Sequence, residues 1–498
     1  MNAPAPQFFA FDNTYVRDLD EFYVLWKPTP ATKPALIRLN EELARELGAD
    51  PVALGSPDGI AMLAGSLIPG GAEPIAQAYA GHQFGHFSPQ LGDGRALLLG
   101  EVIDPNGERR DIAFKGSGRT PFSRNGDGKC ALGPALREYI ISEAMYALGI
   151  PTTRSLAVVA TGDMVRRDRA QPGAVLTRVA ASHVRVGTFQ FFAAHQGPEQ
   201  VKRLADYVIA RHYPALAASP QPYLDLLTAV GERQAELVAR WLGVGFIHGV
   251  MNTDNMTLSG ETIDYGPCAF MEAYNPSAVF SSIDSGGRYA YGKQAGIARW
   301  NLARLAETLL TLIDTDDNRA VQAATAVIDA LPERQAVHWL RVFRAKLGID
   351  ENGYFGRAAE SDRILIDDFL RILKHNRLDF TVAFRALFHA ASGDPTRLNV
   401  LMSSAPDIAE WHSRWHARQP TRPAELLTAM QHANPCYIPR NHRVEAALDA
   451  AVDDNNLAPF ERLLAAIQSP FDERAADAEY AEPAPAEFTA SYMTFCGT

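Results

Sequence analysis

Four cysteines in 498 residues are too few to staple a chain of this length, which excludes a disulfide scaffold. Positive charge is in deficit: 47 Lys and Arg face 58 Asp and Glu, a formal net charge of -11. That balance removes the electrostatic basis for general affinity to nucleic acid or an anionic membrane, so neither is an expected partner. No apolar run reaches the length of a transmembrane helix. The opening stretch Met1-Asn-Ala-Pro-Ala-Pro-Gln-Phe-Phe-Ala10 has no basic start and apolar core like a secretory signal. Nor does it have the Arg-rich amphipathic character of a transit peptide, and a cytoplasmic protein is the expectation. What is present is ordinary for a globular protein, 47% hydrophobic and 21% charged. The length suffices for a large core and two or more structural units.

Residues 11–50 are interrupted by prolines and then turn helical, with Leu36, Leu39, Leu43 and Leu47 spaced for one apolar face. Strands are predicted at Leu97–Glu101 and Asp111–Lys115, joined through a Pro-Asn-Gly turn at 105–107. A glycine-rich polar stretch, 116–128, precedes a helix that opens at Pro134 and repeats Leu136, Ile140, Ala144 and Leu148 before Gly149. Strand-like segments return at 155–160 and 175–186. From residue 200 the chain reads as mostly helical, with helices expected at 320–330, 334–347, 367–373, 424–431 and 459–467. These segments predict an α+β, protein-kinase-like bilobal fold. Residues 1–75 form an N-terminal extension packing on the body, and 76–195 a mixed N-lobe with an antiparallel sheet. Residues 196–470 make a largely helical C-lobe with helical additions. The remainder, 471–498, is a flexible acidic connector ending in an apolar, cysteine-bearing tail that docks on the body.

The most telling stretch is His248-Gly-Val-Met-Asn-Thr-Asp-Asn255, followed by Ile263-Asp264-Tyr-Gly266. In kinase-type loops an Asp lies two residues after the His, and a metal-holding Asn closes the loop. Asn255 is in place, but Val250 fills the Asp position, and a different acid, Asp254, stands beside the Asn. Asp264 occupies the position of the kinase metal-binding Asp, after a short hairpin expected at Met256–Ile263. Amide and carboxylate oxygens at Asn255 and Asp264 suit Mg²⁺ completed by nucleotide phosphates. Metal ligands without the usual base point to nucleotide chemistry other than ordinary phosphorylation.

Phosphate-binding groups precede that loop in kinase order. Gln90-Leu-Gly-Asp-Gly-Arg95 places Gly92, Gly94 and Arg95 in a turn whose backbone N–H groups could approach phosphates. Lys115 ends a strand reading Ile-Ala-Phe-Lys, close to the V-A-I-K of the kinase lysine. Its ion-pair partner is Glu138 or Glu143, which flank the apolar helix stripe on opposite sides. The glycine-rich loop carries Arg119, Arg124, Asp127 and Gly128. Arg178 and Arg185 lie on the following strand region. With Arg95 and Lys115 they exceed what an adenine pocket needs, so phosphates occupy this part of the cleft. His82 and His86, four apart but among glycines, read as packing or hydrogen-bonding residues rather than a metal pair. The irregular Asn434–His442 segment suggests no chemistry by itself.

Together, Tyr79–Phe87, Gln90–Arg95, Lys115–Gly128, His248–Asn255, Ile263–Phe270 and Asn434–His442 closely resemble the selenoprotein O family of protein adenylyltransferase pseudokinases, over nearly the whole chain. The resemblance implies a kinase-like fold that binds ATP reversed, transfers AMP to Ser, Thr or Tyr hydroxyls of target proteins and releases pyrophosphate. It implies that Gly92, Gly94, Arg95, Lys115, Asp127, Gly128, Arg178, Arg185 and Asp264 bind nucleotide. Glu138 would pair with Lys115, Asp254 would accept the proton, and Asn255 with Asp264 would hold Mg²⁺ or Mn²⁺. An Asp near its reference pKa is a weak base, so its positioning is expected to matter most. Animal members carry selenocysteine third from the end, where this chain has Cys496. Cys268, expected at the rim of the site because it follows Asp264 closely, makes with Cys496 a candidate redox pair. The alternatives are UMP transfer to protein, an ordinary kinase reaction and a non-catalytic nucleotide-binding scaffold.

Overall fold

The computed structural model describes residues 6–350 and 356–495. Its strands are β1 (Tyr23–Leu25), β2 (Ala35–Leu39), β3 (Ile75–Gln77), β4 (Gly81–Gln83), β5 (His86–Ser88) and β6 (Ala96–Ile103). They continue with β7 (Arg109–Lys115), β8 (Cys130–Ala131), β9 (Arg154–Arg166), β10 (Ala170–Ala180), β11 (Phe246–Ile247) and β12 (Ala269–Phe270). The main sheet is antiparallel, in the order β1-β3-β6-β7-β10-β9-β2, with β8 added against β10. β4 with β5 and β11 with β12 form two small antiparallel pairs.

Side chains alternate across this sheet with the period of two that a pleated strand imposes. Leu97, Leu99, Ile112, Phe114, Ala157, Val159, Val175 and Val179 face an N-terminal layer supplying Leu43, Leu47, Leu54, Met62 and Leu63. Leu98, Ala113, Val158 and Leu176 face the other way, toward the helix Leu132–Ala147 and the helical body. Lys115 shares the parity of Ala113, and Arg178 that of Leu176. The register sets Leu176 opposite Lys115 and Arg178 opposite Ala113. Both cations therefore emerge side by side on the face that meets the helix.

Local readings gave way to tertiary pairing in several places. Leu36 and Leu39 are not helical: Ala35–Leu39 is a strand that pairs with β9, and the helix begins only at Glu41. Asn40 caps that helix, its side-chain oxygen accepting from Leu43 N at 3.1 Å, so the four leucines are split between two elements. Residues before 76 thus contribute β1 and β2 to the sheet itself. The strand after residue 170 ends at Ala180, and Arg185 stands at the N-cap of the helix Val186–His195. The helices expected either side of Pro332 are one, Asp317–Leu347. A proline costs a helix one hydrogen bond and a clash. Here the helix runs on, and Leu331 packs so closely on Gly231 of the helix Pro222–Val244 that a Cβ there would lie 2.8 Å from it.

The Asn434–His442 segment is a structural clasp. Arg440, fully buried, donates to Asp379 Oδ2 at 2.7 Å, to Glu272 Oε2 at 2.5 Å and to the Ala481 carbonyl at 3.1 Å. Asn441 brackets Phe270, its Nδ2 donating to the Phe270 carbonyl at 2.7 Å. The C-terminal segment touches the body: Tyr480 is buried, and Thr494 Oγ1 donates to the Pro267 carbonyl at 2.8 Å. Among the described residues no helix is long and apolar enough to cross a membrane.

Candidate functional site

A cavity of about 450 Å³ opens between the sheet face, the glycine-rich stretch and the 248–266 loop. Gly92, Gly94, Arg95 and Lys115 line one wall, and Asp127 and Gly128 border it. Arg185, Asp254, Asn255 and Asp264 line it as well. The structure therefore gathers these sequence-predicted residues around one space. Arg178 and Glu138 lie behind the lining, both buried.

The wall is built as a chain of alternating charge. Glu138 accepts from Lys115 Nζ and from Arg178, at 2.9 Å from Nε and 2.5 Å from Nη2. Arg178 Nη2 also donates to Asp264 Oδ1 at 2.5 Å, with Lys115 Nζ 3.5 Å from the same oxygen. Glu143 is excluded as the lysine's partner. It is held on the far side of its helix by Arg154, at 2.8 Å from both Nε and Nη2, and by Asn40 at 2.8 Å. Burial opposes ionisation of Asp264, but Arg178, Lys115 and Arg185 together hold it well below the usual carboxylate range.

Arg185 presents a guanidinium to the cavity. It is buried, lies 4.4 Å over the Tyr79 ring, and stands 3.6 Å from Asp93 Oδ1 and 3.7 Å from Asp264 Oδ2. Its Nε and Nη1 have no hydrogen-bond partner among the described residues. Buried N–H groups without an acceptor cost free energy, and a phosphate entering the cavity would offer them one. Arg95, half-buried on the lining, has no ion-pair partner among the described residues.

The glycine turn works differently from its sequence reading. The amides of Leu91 and Gly92 donate to the Tyr79 carbonyl, that of Asp93 to Gln77 and that of Gly94 to Gly92. They are spent on holding the turn against β3 and the residues after it. Gly92 instead supplies a left-handed backbone, φ 67°, where a Cβ would sit 2.2 Å from the Phe122 ring. Asp127, at the mouth, is tied to Arg167 at 2.9 Å.

His248 fixes the loop. Its Nε2 donates to the Ile263 carbonyl at 2.9 Å and its Nδ1 accepts from Val250 N at 3.4 Å, while burial keeps the ring neutral by pushing its pKa down. Asn255 donates through Nδ2 to the Val250 carbonyl at 3.0 Å, which turns its Oδ1 free to accept a cation. Asp264 is held at φ 61° beside it on the same cavity. Among the described residues no cluster of three or more His, Cys, Asp or Glu could cage a metal. One amide and one carboxylate on an open cavity fit Mg²⁺ or Mn²⁺ whose remaining ligands are phosphates and water. Burial pushes the Asp254 carboxyl up to about 6, against the pull of Arg185 and Gln83, which makes it a better base than an exposed aspartate.

The connection from Asn255 to Asp264 is not the regular hairpin expected. Thr257 bridges to Arg185 and Thr262 to Thr152, each on a different neighbour. The turn closes where Thr257 Oγ1 donates to the Glu261 carbonyl at 2.7 Å. Burial raises the Glu261 carboxyl to about 7. Its unfolded value is about 4.3, so the native state holds a proton that the unfolded chain has released. The stability this proton confers is complete below about pH 4.3 and is lost as pH rises through 7. Glu261→Gln, which keeps an oxygen for Ala181 N, is expected to raise the melting temperature at pH 8 by roughly a few degrees and leave it unchanged at pH 4. Thermal melts at both pH values check this.

His82 is a hydrogen-bonding residue, its Nδ1 2.7 Å from Gln190 Nε2. Cys268 is not at the rim. It is fully buried in the core, and burial raises its thiol to about 12. Adjacency to Asp264 in sequence said nothing about depth, because the chain turns inward to form β12. Its candidate partner Cys496 lies outside the described residues. Tyr79, Gln83, Asp93 and Arg167 also shape the site and were not singled out from sequence. The first three sit inside motifs quoted for other residues, whereas Arg167, beyond the regular pairing of β9, has no local signal.

The family model for protein adenylyltransferase SelO matches residues 8–468. A protein nucleotidyltransferase YdiU of Cereibacter sphaeroides is 57% identical over 491 residues, covering 98% of this chain and 100% of the relative. Proteins of the same name from Bradyrhizobium diazoefficiens and Rhizobium etli are 56% and 55% identical, covering 98% of this chain and 99% and 97% of theirs. With its glycine turn, buried cations and 248–266 loop all inside that matched span, the chain belongs to the protein adenylyltransferase SelO family.

Proposed function

We propose that this enzyme transfers AMP from ATP to Ser, Thr or Tyr hydroxyls of target proteins, within a kinase-like body whose lobes are residues 76–195 and 196–470. The observation that carries the reading is Arg185: a buried, partly unpartnered guanidinium on a cavity that also holds an acid at Asp254 and none at position 250. The surplus of cations favours seating the phosphates deep and presenting the α-phosphorus to the acceptor. In the step this supports, the acceptor hydroxyl oxygen forms a bond to the α-phosphorus and its proton passes to Asp254. The bond from the α-phosphorus to the α,β-bridging oxygen breaks, and pyrophosphate leaves with the electron pair. Lys115 and Arg185 would bind phosphate oxygens, with Arg178 and Glu138 holding Lys115 and Asp264 in place. Mg²⁺ or Mn²⁺ at Asn255 and Asp264 would supply further neutralisation of phosphate charge when bound. A cytoplasmic setting fits the three described cysteines, all free thiols.

Incubation with Mg-ATP and an acceptor protein should release one pyrophosphate for each AMP attached. Release of orthophosphate in its place would contradict the reading. A second expectation concerns Gly81, where a Cβ would fall 2.5 Å from Asp254 Oδ1. Gly81→Ala should displace that carboxylate and lower turnover by about 10²-fold, since small misplacements of reacting groups cost that much. Steady-state rates beside a thermal melt test this, and wild-type turnover would refute it.

A further inference from the structure

The β4–β5 hairpin and the loop that carries Asp254 are fastened together on both sides of Gln83. On one side His82 N donates to Thr253 Oγ1 at 2.7 Å, and Gln190 joins the His82 ring, at 2.7 Å, to the Thr253 hydroxyl, at 2.6 Å. On the other, Phe84 N donates to Asn252 Oδ1 at 3.2 Å, an oxygen that also accepts from the Tyr289 hydroxyl at 2.6 Å. The side chain between these anchors reaches into the cleft, where Gln83 Nε2 lies 3.5 Å from Asp254 Oδ2. The other carboxylate oxygen, Oδ1, is enclosed and has no partner among the described residues. The Gln83 amide is thus the one side-chain donor that reaches Asp254 among the described residues.

An amide held between two anchored residues can fix the plane of the carboxylate it faces. Contacts of this kind are commonly long before substrate binds and tighten afterwards. We infer that Gln83 is a positioning residue, aiming Asp254 Oδ2 at the acceptor hydroxyl while the hairpin walls the acceptor side of the cleft. The inference rests on the AMP-transfer reading above.

The test compares wild type with Gln83→Met, which keeps the length without a donor, and Gln83→Glu, which keeps the shape and replaces the donor with an acceptor. Initial rates of AMP incorporation from α-labelled ATP into a dialysed soluble protein extract give kcat and KM for ATP. Thermal melts report folding. Both variants should lose 10- to 100-fold in kcat, with KM for ATP within twofold of wild type and unchanged melting. Either variant within twofold of wild-type kcat, a rise in KM with kcat retained, or a rate loss that merely tracks lowered melting overturns the proposal. A wild type that incorporates no AMP overturns the AMP-transfer reading itself, and the role of Gln83 with it.

Discussion

Replacing Asp264 by alanine is expected to abolish AMP transfer, a fall on the order of 10³-fold or more, and to erase the affinity for ATP that Mg²⁺ adds. Asp264 is the only carboxylate among the two proposed metal ligands, and Asn255 alone offers a single neutral oxygen. It is also the point on which Arg178, Lys115 and Arg185 converge, at 2.5, 3.5 and 3.7 Å. Its loss therefore frees those cations as well as the metal. Asp254→Ala has a different signature. Removing a proton acceptor costs turnover by roughly 10²- to 10⁴-fold, but it leaves the cationic wall proposed to bind phosphate intact. Calorimetric titration of ATP into each variant, with and without Mg²⁺, separates the two. Equal losses of Mg-ATP affinity in both would contradict this division of roles.

Glu138→Ala should cost both stability and activity. Glu138 is buried and accepts from two buried cations, so alanine leaves Lys115 and Arg178 with Asp264 as their remaining carboxylate. Breaking a buried pair from one side typically costs about 3–5 kcal/mol, a large part of the roughly 5–15 kcal/mol by which a domain is stable. The melting temperature should fall by several degrees, and transfer should drop because Lys115 is no longer aimed at the phosphates. Glu138→Gln, which keeps one acceptor oxygen, should lie between. Urea unfolding and rate measurements on the same preparations decide. Wild-type stability with wild-type rates would show that the ion chain is incidental.

Much of the site was legible because its residues sit in local patterns. Strands β6 and β7, the helix after them and the loop from His248 to Gly266 each carry a period or a spacing that survives folding. What was not legible depends on pairing between distant segments. Helical phase left Glu138 and Glu143 equivalent, and only the capture of Glu143 by Arg154 and Asn40 separates them. Leu36 and Leu39 have helical spacing, yet pairing with β9 makes them strand residues. The amides of Leu91, Gly92 and Asp93 looked available for phosphate until Tyr79 and β3 claimed them. Gln83 carried no signal of its own, because its place beside Asp254 comes from a hairpin docking on a loop 171 residues away.

The central claim is that the bond broken in ATP is the one to the α-phosphorus. Parallel reactions with α-labelled and γ-labelled ATP, each with Mg²⁺ and a protein acceptor, measure this directly. Label from α-ATP should become covalently attached to protein and survive denaturing electrophoresis, with none from γ-ATP and none in Asp264→Ala. Attachment of the γ-label without the α-label would contradict the account.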